Sequence, residues 1–159
     1  ALAEHRSRIV SGPSTVRVER SDDPAKPDFA AQHDGYVRPF GLWHERGIAL
    51  FDEGERVEGY DRLMRIGHRS AGHEQHQFDI RFHLHPAVHA AKEEHRTVRL
   101  TTDQGENWLF SAVDGDVILD DSIHFAGVAG PVRTLQIVIS GMWPQIETVG
   151  WTIRRHHLT

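Results

Sequence analysis

The sequence has no cysteine, two methionines and two tyrosines among its 159 residues, and no apolar run that approaches the length of a membrane span. Without cysteine there are no disulfides, thiolate metal sites or thiol nucleophiles, although the compartment stays open because many periplasmic proteins also lack cysteine. A membrane-spanning helix needs about 20 apolar residues, so the segment reads as soluble, with no membrane partner. The start, Ala1-Leu2-Ala3-Glu4-His5-Arg6, lacks the basic, apolar, small-residue order of a signal peptide. Positive charge is not concentrated anywhere: 18 basic against 23 acidic residues leave a formal charge of −5. Phosphate binding needs a dense basic patch, so nucleic acid is not expected as a partner. A Gly-x-Ser-x-Gly elbow, a P-loop and a dinucleotide fingerprint are absent as well.

What remains is a chain that is 38% hydrophobic and 26% charged, enough for one well-packed domain over residues 1–159. Helical periodicity is never sustained; short runs alternate apolar with polar instead, which predicts an all-β protein. About nine strands are expected: Thr15 to Arg20, Leu42 to Phe51, Glu55 to Ile66, Gln77 to His85, Thr97 to Thr102, Trp108 to Val113, Asp116 to Phe125, Arg133 to Ser140 and Thr148 to Arg155. Many short antiparallel strands point to a β-sandwich. Asp52-Glu53-Gly54, Asp103-Gln104-Gly105 and Asp114-Gly115 each separate two alternating runs and read as hairpin turns, because glycine accepts the positive φ such turns require. On that basis 42–66, 97–113 and 108–125 are antiparallel pairs, the last two forming a meander. Ser21 to Ala31 and Gly67 to Gln75 read as connections, and Pro86 ends a strand. Ala87 to Glu94 is expected to supply the single short helix. The first strand starts almost at once, which suggests a piece of something longer.

The abundant residue is histidine, 13 in all. In Gln77-Phe78-Asp79-Ile80-Arg81-Phe82-His83-Leu84-His85-Pro86 the even positions are apolar, and the odd ones place Asp79, Arg81, His83 and His85 in a row at roughly 6 to 7 Å spacing. Three readings stand. The row is a solvated polar face; or it is an anionic-glycan surface, with Arg81 gripping a carboxylate or sulfate and the imidazoles donating beside it; or His83 and His85 chelate a metal. The metal reading lacks a third ligand, since His89 and His95 follow no ligand spacing. The cupin pattern also fails, because Gln77 and His89 stand where it requires Gly and Glu. His68, His73 and His76 read as loop residues, and His156-His157 beside Arg154-Arg155 as a basic tail. His33, Asp34 and Tyr36 fit either acid–base work or a turn into a strand. Trp43, Trp108, Trp143 and Trp151 fit either sugar stacking or the core.

One ordered series carries more. His33-Asp34-Gly35-Tyr36, Phe40-Gly41, His44-Glu45-Arg46, Val57 to Leu63, Ile80 to Pro86, Gly105 to Phe110, Gln136 to Ile139 and Trp151 to Arg155 together resemble the C-terminal part of bacterial heparinase II/III-like proteins. The resemblance implies an N-terminal α-helical toroid followed by an antiparallel β-sandwich. It also implies a polysaccharide lyase that cleaves uronate-containing glycans by β-elimination. Catalytic residues and a zinc site would lie upstream, in the toroid and the early sandwich strands, which match no position here. From this follow the remaining expectations. The segment has no catalytic residue and no cofactor of its own, with zinc placed in the longer parent. Arg81, His83 and His85 are the substrate-binding residues. The partners are an acidic polysaccharide and the helical domain of the same protein, and self-association through an exposed sheet edge is a further expectation. The location is periplasmic or secreted. A non-catalytic carbohydrate-binding module, or a small metalloenzyme on His83 and His85, are the alternatives.

Overall fold

A computed structural model describes residues 3–5, 8–21, 23, 27–67, 74–125 and 130–157, with side chains from residue 12 onward. The strands, in chain order, are β1 (Ala3–His5), β2 (Arg8–Ser11), β3 (Val16–Ser21), β4 (Asp28–His33), β5 (Leu42–Phe51), β6 (Arg56–Arg65), β7 (His76–His83), β8 (Val88–Lys92), β9 (Thr97–Thr102), β10 (Asn107–Ala112), β11 (Asp116–His124), β12 (Val132–Trp143) and β13 (Thr148–Arg155). A single-turn helix, α1 (Val37–Phe40), and a 3-10 turn at Asp52–Gly54 are the only helical pieces among the described residues. No helix among the described residues is long and apolar enough to cross a membrane.

The strands form two packed antiparallel layers. An eight-stranded sheet runs β3-β4-β5-β6-β13-β10-β9-β8 and a three-stranded sheet runs β11-β12-β7, while β1 and β2 pair only with each other. Alternation dictates the interior. Ile80 and Phe82 from β7, Ile137 and Ile139 from β12, and Val117 from β11 face Val98, Leu100, Phe110, Val149 and Trp151 of the large sheet. Phe110 and Ile139 are fully buried, and truncating such a residue costs about 2–5 kcal/mol. Phe82 meets Phe110 and Trp151 edge-on, at 5.1 and 4.9 Å between ring centroids. Aromatic pairs favour that tilted contact because a positive ring edge meets a negative face.

The all-β expectation holds, and β5, β9 and β13 fall on their expected bounds. Three local expectations are corrected. Ala87 to Glu94 is not helical: Val88 to Lys92 pair with β9, with Val88 and Ala90 packed against the core, so cross-strand burial overrides the helical preference of alanine. The connection drawn over Ser21 to Ala31 contains the start of β4, whose central Ala30-Ala31 gave no strand signal. The single helical turn forms instead after Tyr36 and ends at Gly41, which takes φ +69°. Asp114-Gly115 does not close a hairpin. It carries the chain from β10 in the large sheet to β11 in the small one, with Gly115 at φ +79° and a would-be Cβ 2.7 Å from Ile139. Alternation reads the same for two strands in one sheet and for two in facing sheets, so the expected meander was an arch between layers.

Candidate functional site

Two groups of chemistry-bearing side chains emerge, one on each side of the small sheet. The inner group is assembled by register. His33 of β4 stands opposite His44 of β5, and Arg46 of β5 opposite Asp61 of β6. Trp151 of β13 stands opposite Gly59 of β6. A Cβ on Gly59 would lie 2.2 Å from the Trp151 ring, so the missing side chain is what lets the indole cross β6 to reach Asp61.

The hydrogen bonds define the protonation pattern. Gly35 donates its amide to His33 Nδ1 at 3.1 Å, which leaves the ring proton on Nε2. Nε2 of His33 lies 3.1 Å from His44 Nδ1, and Nε2 of His44 lies 2.8 Å from Asp61 Oδ1. A consistent direction follows: Gly35 to His33, His33 to His44, His44 to Asp61. Asp61 also accepts from Arg46 Nε (2.8 Å), Arg46 Nη2 (3.1 Å) and Trp151 Nε1 (2.9 Å). Each carboxylate oxygen therefore receives two donors, which satisfies a side chain that is 4% exposed. Burial pulls the Asp61 carboxyl upward, and the bonds from His44, Arg46 and Trp151 outweigh it, leaving the group below its ordinary value. Burial first, and the neighbouring His44 second, draw His33 below the ordinary imidazole value.

This network floors a cleft of about 350 Å³ that also includes Tyr36, Phe40, Leu42, Leu63 and the β7 edge from Gln77 to Arg81. Tyr36 sits 5.5 Å from His33 and 6.2 Å from His44 between ring centroids. Asp34, next to His33, is a turn residue. It accepts from the backbone of Ser14 and Thr15 and from the Ser14 hydroxyl, chiefly the last, and its carboxyl is held down at about 2.

The outer group is the row singled out in the sequence. Arg81 and His83 project from the exposed face of β7, and His85 follows the strand's end. Arg81 is 42% exposed and bonds Asp79 at 2.7 Å, with Asp120 at 3.6 Å. Nδ1 of His83 lies 2.8 Å from Ser122 Oγ. Nδ1 of His85 accepts the Ala87 amide, and its ring meets His124 edge-on at 5.0 Å. His124 was not singled out in the sequence; it joins the row because β11 flanks β12 on the same face.

The other candidates disperse. His76 opens β7 and stacks on Trp143, while His68 and His73 lie outside the described residues. His89 faces Asp103 on exposed β8, and His157 lies 3.3 Å from Glu55. Trp143 and Trp151 are core; Trp43 and Trp108 are half-buried. Among the described residues no group of three or more His, Asp or Glu side chains is placed to hold a metal ion. The zinc site that the resemblance implies was placed upstream of this segment, and the described residues offer no such ligand set.

The inner network was missed as a unit. Arg46 and Asp61 stand six residues on either side of the four-residue connection 52–55, whereas a three-residue turn at 52–54 with a strand from Glu55 would set Arg46 opposite Tyr60, so the extra turn residue decides which pair meets. Nothing comparable joins Trp151 to Asp61, which are 90 residues apart. Comparison with curated proteins finds no match. Residues 4–152, almost the whole of the two-layered fold, match the family described as Heparinase II/III-like, C-terminal, and the chain belongs to that family.

Proposed function

We propose that the protein is a polysaccharide lyase acting on uronate-containing glycans by β-elimination, in which this β-sandwich supplies scaffold and glycan contacts. The observation that carries the reading is the family match over residues 4–152. Supporting it is the outer face of the small sheet. There Arg81 presents an exposed guanidinium, His83 and His85 flank it, and Ser122 supplies a hydroxyl within the same patch. A guanidinium engages a carboxylate or sulfate through two parallel donors, and imidazoles add donors whose charge rises as pH falls. Asp79 and Asp120 already touch Arg81, so an incoming carboxylate competes with them for the guanidinium. Such a strip favours a polymer with several anionic groups over a single one, because each contact is weak and solvent-screened.

The inner network is not assigned to catalysis. Its donors and acceptors are spent on one another, leaving no free lone pair on His33 or His44 to receive a substrate proton. In this reading the residues that carry out the elimination lie in the helical toroid and early sandwich strands that the resemblance implies.

The test is an elimination assay on heparin, heparan sulfate, alginate and hyaluronan with the full reading frame, following absorbance of the unsaturated product. Cleavage of at least one polymer, weakened by Arg81→Gln, is the expected result. Binding without cleavage would replace the lyase reading with that of a carbohydrate-binding module. Cleavage indifferent to Arg81→Gln, and to the corresponding changes at His83 and His85, would remove the glycan from this face.

A further inference from the structure

The middle strand of the small sheet carries a polar side chain that its neighbours satisfy at one end only. On β12 the even positions face outward, away from the core that Ile137 and Ile139 enter, so Gln136 shares a face with Arg81 and His83. His83 of β7 stands opposite it on one side and Asp120 of β11 on the other, and Gln136 is only 6% exposed. Its amide nitrogen donates twice, to Asp120 Oδ2 at 3.3 Å and to the Asp121 carbonyl at 2.9 Å. Both partners are acceptors, and that fixes the amide: turned over, its oxygen would face a carboxylate and a carbonyl. The other end, Oε1, is buried and accepts no hydrogen bond. Burial strips away the water that would otherwise donate, so native folds almost always meet such an acceptor.

With Nε2 spent on β11, Oε1 turns toward β7. Donors nearby are engaged elsewhere. Arg81 bonds Asp79 at 2.7 Å, the Thr134 hydroxyl donates to the Leu84 carbonyl at 3.0 Å, and Ser122 Oγ lies 2.8 Å from His83 Nδ1. This last bond crosses β12 between the rows of Gln136 and Thr134. It is exposed to solvent, so opening it costs little. Arg81 and Gln136 are diagonal neighbours on one face, about 7–8 Å apart, a span that one pyranose ring bridges.

We propose that this face selects a uronate with a free hydroxyl. The carboxylate binds the Arg81 guanidinium, while a ring hydroxyl displaces the His83–Ser122 bond and donates to Gln136 Oε1. The waiting acceptor gives the patch a preference that charge alone does not. A sulfate ester at that hydroxyl removes the proton and sets an anionic oxygen against the amide oxygen, so O-sulfated glycans are disfavoured although they carry more charge for Arg81. The ligand class thereby narrows from acidic glycans to uronates unsulfated at the contacting hydroxyl. This inference rests on the reading of the outer face as glycan-binding and needs no elimination chemistry.

The probe is methyl glucuronoside, which has no sugar on its O4 to expel. Its O-methylated ether keeps the carboxylate and loses every hydroxyl donor. Both are titrated into nitrogen-labelled protein from the full reading frame, with NMR following the Gln136 side-chain amide and the Arg81 Nε–H. Both signals should shift with the free sugar, which should bind about tenfold more tightly than the ether, as expected for one hydrogen bond to a buried acceptor. Gln136→Met should bind the two sugars alike; if that variant does not fold, the comparison in the unaltered protein decides. Equal binding of the two sugars by the unaltered protein, or binding that leaves the Gln136 amide unmoved, would overturn the proposal even if the protein cleaves glycans. Binding of neither sugar would refute the glycan surface and this proposal with it. Discrimination by a protein that cleaves no glycan would support the proposal and refute the lyase reading alone.

Discussion

Replacing Asp61 with asparagine tests the inner network directly. The carboxylate accepts four hydrogen bonds, two on each oxygen, while an asparagine side chain keeps one acceptor oxygen and turns an NH2 toward the other pair of donors. If the retained oxygen faces His44 and Arg46 Nε, then Arg46 Nη2 and Trp151 Nε1 lose their partner. Arg46 is 34% exposed and can turn to water. The Trp151 indole, 5% exposed, cannot. A buried donor left unpaired costs about 1–3 kcal/mol, and losing the charge that binds Arg46 adds to it, so Asp61→Asn should destabilise by about 2–4 kcal/mol at neutral pH. The sign of the pH dependence follows from the lowered carboxyl. A group held below its unfolded value stabilises the fold above that value, and the contribution is lost as pH falls through the folded one. Urea unfolding of both proteins at pH 7 and again below the ordinary carboxylate value of 3.8 should therefore show a gap in the unfolding midpoint that narrows in acid. Other carboxylates titrate in both proteins and cancel. A gap below about 1 kcal/mol, or one that does not change with pH, would refute the reasoning.

Further outcomes follow from other contacts. Gly59→Ala places a methyl 2.2 Å from the Trp151 ring and should cost about 1–3 kcal/mol in thermal or urea unfolding, with loss of the Trp151 indole N–H signal from its bonded position in NMR spectra. Ser14→Ala removes the main hydrogen bond to Asp34, so NMR titration of that carboxyl should move from about 2 toward the ordinary carboxylate range. Arg81→Gln should lower kcat/KM on an acidic glycan by about tenfold while leaving thermal unfolding within about 0.5 kcal/mol, because the side chain is surface-exposed.

Much of this protein is legible without coordinates. Period-two alternation set β5, β6, β7 and β12 as strands and chose which side chains face inward, because the pleat admits only two faces. Glycine at positive φ marked the real turn between β9 and β10 at Gly105. The row Asp79, Arg81, His83 and His85 was readable as one outward face for the same reason. β4 and β8 were not legible: both are alanine-rich and became strands through their neighbours, and a weak local preference yields to pairing on both sides or to burial.

What the sequence determined alone was therefore local: the identity of most strands, which side chains share a face, and that residues 42–51 and 56–65 pair as a hairpin, though not the register that sets Arg46 opposite Asp61. Only the tertiary structure decided which strands share a sheet. That choice makes Asp114-Gly115 an arch between layers, lays Trp151 over Gly59 to reach Asp61, and sets His124 of β11 beside His85 on the outer face. The physical reason is range. Alternation is fixed by the backbone within a strand, whereas pairing between distant strands is won by long-range burial, which a run of eight residues does not encode.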